Sequence, residues 1–135
     1  MNGPIPSSWS SFLLSLMRIV TSLGYMTHGT QKLFAWPVNE PRPTVELMSR
    51  MGLAGVIETV GGALLLVGLF TRPVAFLCSG QMAAAYFLSH APVAFWPVLN
   101  GGELAAAYCF VFLYLAAAGP GPLSLDAMFF GTRRR

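Results

Sequence analysis

The sequence alternates long apolar stretches with short segments that are rich in proline, glycine and charged residues. The clearest interruptions are residues 35–45, which contain three prolines, and residues 119–122, which read Gly-Pro-Gly-Pro. A helix that crosses a bilayer needs about 20 mostly apolar residues. The spacing of the charged residues therefore predicts four membrane spans and a C-terminal tail, at about residues 10–32, 45–70, 73–90, 101–118 and 119–135.

The composition favours a membrane protein over a soluble one. Hydrophobic residues make up 55% of the 135 residues and charged residues only 10%, against about 25% charged in an average soluble domain. The mean hydropathy is +0.62, which also excludes a disordered chain. The net charge is +3 without a basic stripe, so we expect no nucleic-acid partner. We predict one all-α domain over residues 1–135, an integral membrane four-helix bundle in contact with the lipid bilayer.

The distribution of positive charge predicts the orientation of the four spans. An even number of spans places both termini on one side of the membrane. The cationic residues on that side are Arg18, Arg72 and Arg133–Arg135, and those on the opposite side are Lys32, Arg42 and Arg50. Glu40 and Glu46 offset the second group, but acidic residues count little in the positive-inside rule. The rule therefore favours both termini in the cytoplasm, and we expect Arg18 to snorkel toward that surface.

Most polar residues of the predicted spans collect in the outer half of the membrane. His28, Gln31 and Lys32 end the first span, His90 ends the third, and Asn100 and Glu103 begin the fourth. Glu58 lies near the middle, about 20 Å of helix from the start of the second span. A charged group in hydrocarbon costs about 2.5–3.5 kcal/mol, so it should face other helices and find a partner. Lys32 or His28 is expected to pair with Glu58 or Glu103, unless the buried glutamate stays protonated.

Each of these polar residues also has a purely structural interpretation. Glu103 suits the first turn of a helix, where an acidic side chain complements the helix dipole. Gln81 is typical of a hydrogen bond between membrane helices. On the same interpretation, Glu58 and His28 hold helices together, whereas Lys32 and His90 lie at the membrane surface.

The sequence contains no motif for a metal ion, a haem or a flavin. Cys78 and Cys109 lie in separate apolar stretches without a CxxC spacing, so we expect them to act as small hydrophobic residues. No Glu-x-x-His pair occurs within one predicted helix, and no nucleotide-binding loop is present. We therefore predict no metal, haem or flavin cofactor.

Several short motifs in the predicted spans resemble the DoxX family. The first-helix motif is Arg18-Ile19 followed by His28-Gly29-x-Gln31-Lys32-Leu33, and the second runs Glu58-x-x-Gly61-Gly62-x-Leu64-Leu65-Leu66-x-Gly68-Leu69-x-Thr71-Arg72. The third is Asn100-Gly101-Gly102-Glu103, followed by Gly119-Pro120-Gly121 and Ser124-Leu125-Asp126. The likeness covers residues 12–127, nearly the whole chain.

This resemblance implies a four-helix protein of the bacterial inner membrane. It also implies a redox setting, because the family includes the DoxD-type subunit of thiosulfate:quinone oxidoreductase and membrane components of oxidative-stress complexes. Family membership indicates a fold more firmly than an activity.

The leading hypothesis is a membrane oxidoreductase subunit that holds a quinone near the outer surface. An apolar slot would take the quinone tail, and a partner redox protein would supply electrons. Glu58 and Glu103 would exchange the protons that accompany quinone reduction. The residues expected around the quinone head group are His28, Gln31, Lys32, His90 and Asn100.

Two alternatives stay open at this point. In the first, the chain is a non-catalytic accessory or scaffolding subunit, and the polar cluster only holds the helices together. In the second, it is a small transporter, suggested by a faint likeness between two halves of the chain. The matching residues are Tyr25, His28, Trp36-Pro37 and Glu58 in one half, and Tyr86, His90, Trp96-Pro97 and Glu103 in the other. The sequence leaves open whether the chain catalyses a reaction and whether it forms homo-oligomers.

Overall fold

The computed structural model describes residues 3–37 and 43–131, and over these ranges the chain is helical without any β-strand. The helices are α1 (Ser7–Phe34), α2 (Arg50–Val67), α3 (Thr71–Ala85), α4 (Pro97–Asn100), α5 (Glu103–Ala118) and α6 (Leu125–Phe130). Two π-helical turns interrupt the regular pattern. Ile57–Gly61 lies within α2, and Tyr86–His90 extends α3. The prediction of an all-helical chain is confirmed. Arg42 and Arg133–Arg135, which entered the orientation argument, lie outside the described residues.

Within the described ranges, α2 is the helix that is both long and apolar enough to cross a membrane. It begins at Arg50 rather than near residue 45, because the side chain of Ser49 caps it by accepting a hydrogen bond from the Gly52 N–H at 3.0 Å. Helix α5 is also apolar but has only 16 residues. Helix α1 is longer, yet it carries Arg18 and several hydroxyl residues. Crossing of the membrane by α1, α3 and α5 stays a prediction.

Large hydrophobic side chains cover the exterior of the protein, and polar and charged side chains share its interior with an apolar core. Large hydrophobic residues such as Phe76, Leu77 and Phe110 are more than half exposed. The buried set, in contrast, includes Arg18 and Glu58. An apolar exterior of this extent is typical of a surface covered by lipid or by another protein.

Helices α1 and α2 pack with their backbones in direct contact. A Cβ atom added to Gly29 would lie 2.6 Å from the backbone nitrogen of Thr59 and 2.7 Å from the carbonyl oxygen of Gly55. One added to Gly62 would lie 2.8 Å from the Cα atom of Met26. Small residues at these positions allow the close approach that membrane helices use in the absence of a hydrophobic driving force.

Helices α3 and α5 form a second pair, and an aromatic cluster joins it to α1. Ser79 donates a hydrogen bond to the carbonyl of Cys109 at 2.7 Å, which links α3 to α5. The ring of Tyr25 on α1 meets Phe112 and Tyr108 on α5 edge to face, with centroid separations of 4.8 and 6.0 Å. Such pairs contribute about 0.5–1.5 kcal/mol each beyond their buried area.

Arg18 binds the segment after α5 at the end of the molecule opposite Lys32. The Arg18 side chain is 1% exposed, and its guanidinium donates hydrogen bonds to the carbonyls of Pro120 and Leu123, the latter at 2.6 Å. Arg18 therefore does not snorkel, because the chain that follows α5 folds back and supplies acceptors inside the protein. The Asp126 carboxylate accepts from the backbone N–H groups of Phe70 and Thr71 at 2.8 and 2.9 Å, which holds this segment against the start of α3.

We expect Arg18→Met to loosen the segment after α5. The substitution leaves the Pro120 and Leu123 carbonyls without their donor, and hydrogen bonds to charged groups contribute about 1.5–3 kcal/mol each. The thermal midpoint in detergent should fall, and limited proteolysis should cut between α5 and α6. Arg72→Met is the matched control, since the exposed Arg72 also donates to backbone carbonyls, those of Ala116 and Ala117. Equal midpoints and cleavage for the two variants would contradict a special role for Arg18.

Candidate functional site

A buried ion pair joins α1 to α2. The Lys32 ammonium lies 2.7 Å from each oxygen of the Glu58 carboxylate. The Glu58 side chain is only 2% exposed and that of Lys32 22%. Lys32 lies in the last turn of α1, one turn after Gly29, where the two backbones touch. The glycine contact thus brings the two charged side chains within reach of each other.

Gln81 and Tyr25 extend this ion pair into a network across three helices. Gln81 on α3 donates to a Glu58 oxygen at 3.2 Å. The Tyr25 hydroxyl on α1 donates to the Gln81 amide oxygen at 2.9 Å. Every hydrogen bond in the network therefore runs toward the Glu58 carboxylate, which is the arrangement that stabilises a negative charge there.

Two of the three N–H donors of the Lys32 ammonium have acceptors among the described residues. An ammonium group has three N–H donors, and the two described partners are both oxygens of Glu58. The remaining N–H has no acceptor among residues 3–37 and 43–131. Lys32 is also the only lysine in the sequence, so a lysine-specific probe reports on this site alone.

The network forms one wall of a cavity of about 850 Å³ between α1, α2, α3 and α5. The other walls are mainly apolar. Those side chains include Leu53 and Ile57 of α2, Leu77 and Leu88 of α3 and its extension, and Leu104 of α5. An apolar cavity with a few converging polar groups is the usual form of a small-molecule site.

Four of the seven predicted site residues line this cavity, namely His28, Lys32, Glu58 and His90. His28 is exposed at its edge, with its ring 6.4 Å from that of Tyr108. His90 lies within hydrogen-bonding distance of the Asn100 carbonyl, through Nδ1 at 3.1 Å. The residues Tyr25, Gln81 and Tyr108 also line the cavity and were not among the predicted set. The sequence signal for Tyr25 was its position on the same helical face as His28 and Lys32.

The other three predicted residues lie outside the cavity lining. Gln31 donates to the Pro37 carbonyl at 2.8 Å, and Glu103 is exposed at the start of α5. The Asn100 side chain shapes the connection before α5. Its amide donates to the Ala94 carbonyl at 2.8 Å, and its oxygen accepts from the Gly102 N–H at 2.7 Å.

Both π-helical turns border the cavity. Ile57–Gly61 carries Glu58, and Tyr86–His90 carries His90. A π-helical turn shifts the side chains on either side of it around the helix axis and occurs often at functional sites.

Within the described ranges, no three His, Cys, Asp or Glu side chains converge to form a metal site. The arrangement is therefore suited to hydrogen bonding and proton transfer with a ligand that carries oxygen acceptors.

We expect strong coupling between Lys32 and Glu58 in stability measurements. Removing one partner leaves the other charge buried and uncompensated, which costs about 3–5 kcal/mol. Lys32→Met and Glu58→Gln should therefore each lower the thermal midpoint and the membrane abundance strongly. The double variant, which buries no charge, should recover most of the loss. Additive effects in this double-mutant cycle would contradict a buried ion pair.

Comparison with known proteins agrees with the family resemblance of the motifs. Residues 13–91 match the DoxX family. An uncharacterized protein of Haemophilus influenzae is 42% identical over 123 residues, which cover 88% of this chain and 92% of that protein. No solved structure matches the chain significantly. The match spans the buried ion pair and more than half of the sequence, and the chain belongs to the membrane-associated DoxX family.

Proposed function

We propose that this chain is a multi-pass protein of the bacterial inner membrane that binds a quinone as a subunit of an oxidoreductase complex. In this proposal α1, α2, α3 and α5 form a four-helix bundle, and both termini lie in the cytoplasm. The apolar exterior supports the bundle, because it suits lipid on all sides. The orientation rests on the positive-inside rule, which counts Arg18, Arg72 and Arg133–Arg135 on the cytoplasmic side.

The observation that carries the quinone proposal is the Lys32 ammonium, paired with a buried carboxylate and still able to donate into an apolar cavity. A quinone needs hydrogen-bond donors at its carbonyl oxygens and an apolar environment for its ring. The cavity offers both, and its volume of about 850 Å³ falls within the usual range for ligand pockets.

The residues of the network have distinct roles in this proposal. Lys32 would donate to a quinone carbonyl, while Glu58 holds the ammonium in place and keeps the pair neutral overall. Quinone reduction takes up two electrons and two protons, and an acid–base pair beside the carbonyl can deliver a proton. Gln81 and Tyr25 would fix the carboxylate. Glu103 is exposed and lies outside the cavity lining. In this proposal it acts only as part of a longer path that brings protons to the cavity.

The electrons in this proposal come from a partner redox protein. The sequence contains no haem, flavin or iron–sulfur motif, so the chain's own contribution is to bind and position the quinone. A subunit of this kind works inside a complex, and the apolar exterior offers surfaces on which a partner or a second copy can pack.

A non-catalytic accessory role is the second candidate, and one specific observation favours it. Each hydrogen bond of the network joins two different helices, so the network holds α1, α2 and α3 together whether or not a ligand binds. In that case the network would act on assembly alone.

Binding of decylubiquinone to the purified protein in lipid nanodiscs separates the two candidates. We compare wild type with the double variant Lys32→Met and Glu58→Gln, which avoids an uncompensated charge. Gln31→Ala, next to Lys32 but outside the cavity lining, is the matched control. We expect the double variant to weaken binding at least about tenfold, equivalent to 1.4 kcal/mol, and the control to bind as wild type does. Equal affinity of the double variant and wild type would refute the quinone site and favour the accessory role.

A further inference from the structure

Helices α2 and α3 pack on each other along only part of their length. The packing of α2 on α3 involves mainly Ile57–Gly61 and Gly62–Val67. The first part of α2, Arg50–Val56, packs instead on α1. Helix α2 therefore contacts α3 along its second half, from Ile57 to Val67. Its first half, Arg50–Val56, is separated from α3 by a gap that begins beside Glu58 and Gln81.

Apolar and exposed side chains border this gap on both sides. Leu53 on α2 is 61% exposed, and Leu77 and Leu88 on the facing side are each 57% exposed, yet all three line the cavity. A side chain that both lines a cavity and is largely exposed marks an opening of that cavity. Leu53, Leu77 and Leu88 form an apolar part of the rim of this opening, and the exposed polar lining residues Arg50 and Ser89 lie beside Leu53 and Leu88 at the ends of the helices.

Gly80 leaves the opening unobstructed. It lies on α3 among the cavity-lining residues, is exposed, and has no atom of the described chain within 4 Å of the position a Cβ would occupy. A side chain added at position 80 would therefore have open space in which to extend over the opening.

We propose that the apolar chain of the ligand passes sideways from this cavity into the lipid bilayer, through the opening between α2 and α3 bordered by Leu53, Leu77, Gly80 and Leu88. The ligand is then an amphiphile, with an oxygen-bearing head at Lys32 and an apolar chain that extends through the opening into the lipid. The inference rests on the proposed function for the identity of the head group. It adds the requirement for a long apolar chain and the lateral route that this chain takes.

Two quinones with the same ring test this proposal. One is decylubiquinone, and the other is the dimethoxy-dimethyl-benzoquinone in which a methyl group replaces the decyl chain. Gly80→Trp places a large side chain at the opening, on a Cβ position that has open space around it, and Gly80→Ala is the matched control. We expect Gly80→Trp to weaken the binding of decylubiquinone at least about tenfold, or 1.4 kcal/mol. The chainless quinone should bind as well as it does to wild type, and Gly80→Ala should change neither affinity.

The outcomes also distinguish this inference from the proposed function. If Gly80→Trp weakens both quinones equally or neither, the lateral route is wrong. If the lateral route is wrong but the double variant of Lys32 and Glu58 weakens the binding of both quinones, the proposed quinone site is kept without the lateral route. If instead Gly80→Trp blocks only the long-chain quinone and the double variant has no effect, the lateral route stands. In that case the proposal that the head group binds at Lys32 is wrong.

Discussion

A charged carboxylate enclosed by helices inside an apolar protein needs a positive partner, and the single lysine of this chain lies within hydrogen-bonding distance of Glu58. The rest of the site depends on that pairing. The backbone contact at Gly29 brings α1 close enough to α2 for Lys32 to reach both oxygens of Glu58. Gln81 then links the pair to α3. Because the pair is neutral overall, a buried polar wall can border an apolar cavity without an uncompensated charge.

The same constraint has a different solution at the other end of the molecule. Arg18 is as deeply buried as Glu58, but backbone carbonyls of the segment after α5 accept its hydrogen bonds in place of a carboxylate. Asp126 of that segment holds the start of α3 instead. The chain thus has two polar layers enclosed by an apolar exterior. The layer around Arg18 and Asp126 attaches the segment after α5 to the helices, and the layer around Glu58 lines the cavity.

The sequence predicted the helices and the ion pair better than it predicted the site around them. The spacing of the charged residues and the proline- and glycine-rich segments locate long helices, and the cost of a buried charge led to the expectation of a partner for Glu58. The positions of Asn100 and Glu103 depend instead on the irregular connection before α5, where Gly101 adopts a left-handed conformation with φ 72°. The π-helical turns, which set the direction of Glu58 and His90, leave no simple periodic signal. Arg18 was misjudged because its acceptors lie about a hundred residues away in the sequence.

Nitrogen magnetic resonance of Lys32 tests the central claim most directly. The chain contains one lysine, so labelling with lysine carrying ¹⁵N at the side chain yields one Nζ signal from the protein in nanodiscs. A paired ammonium that donates to a quinone should give a signal that shifts progressively with added decylubiquinone and saturates. A signal that stays unchanged at saturating decylubiquinone in wild type would contradict the account.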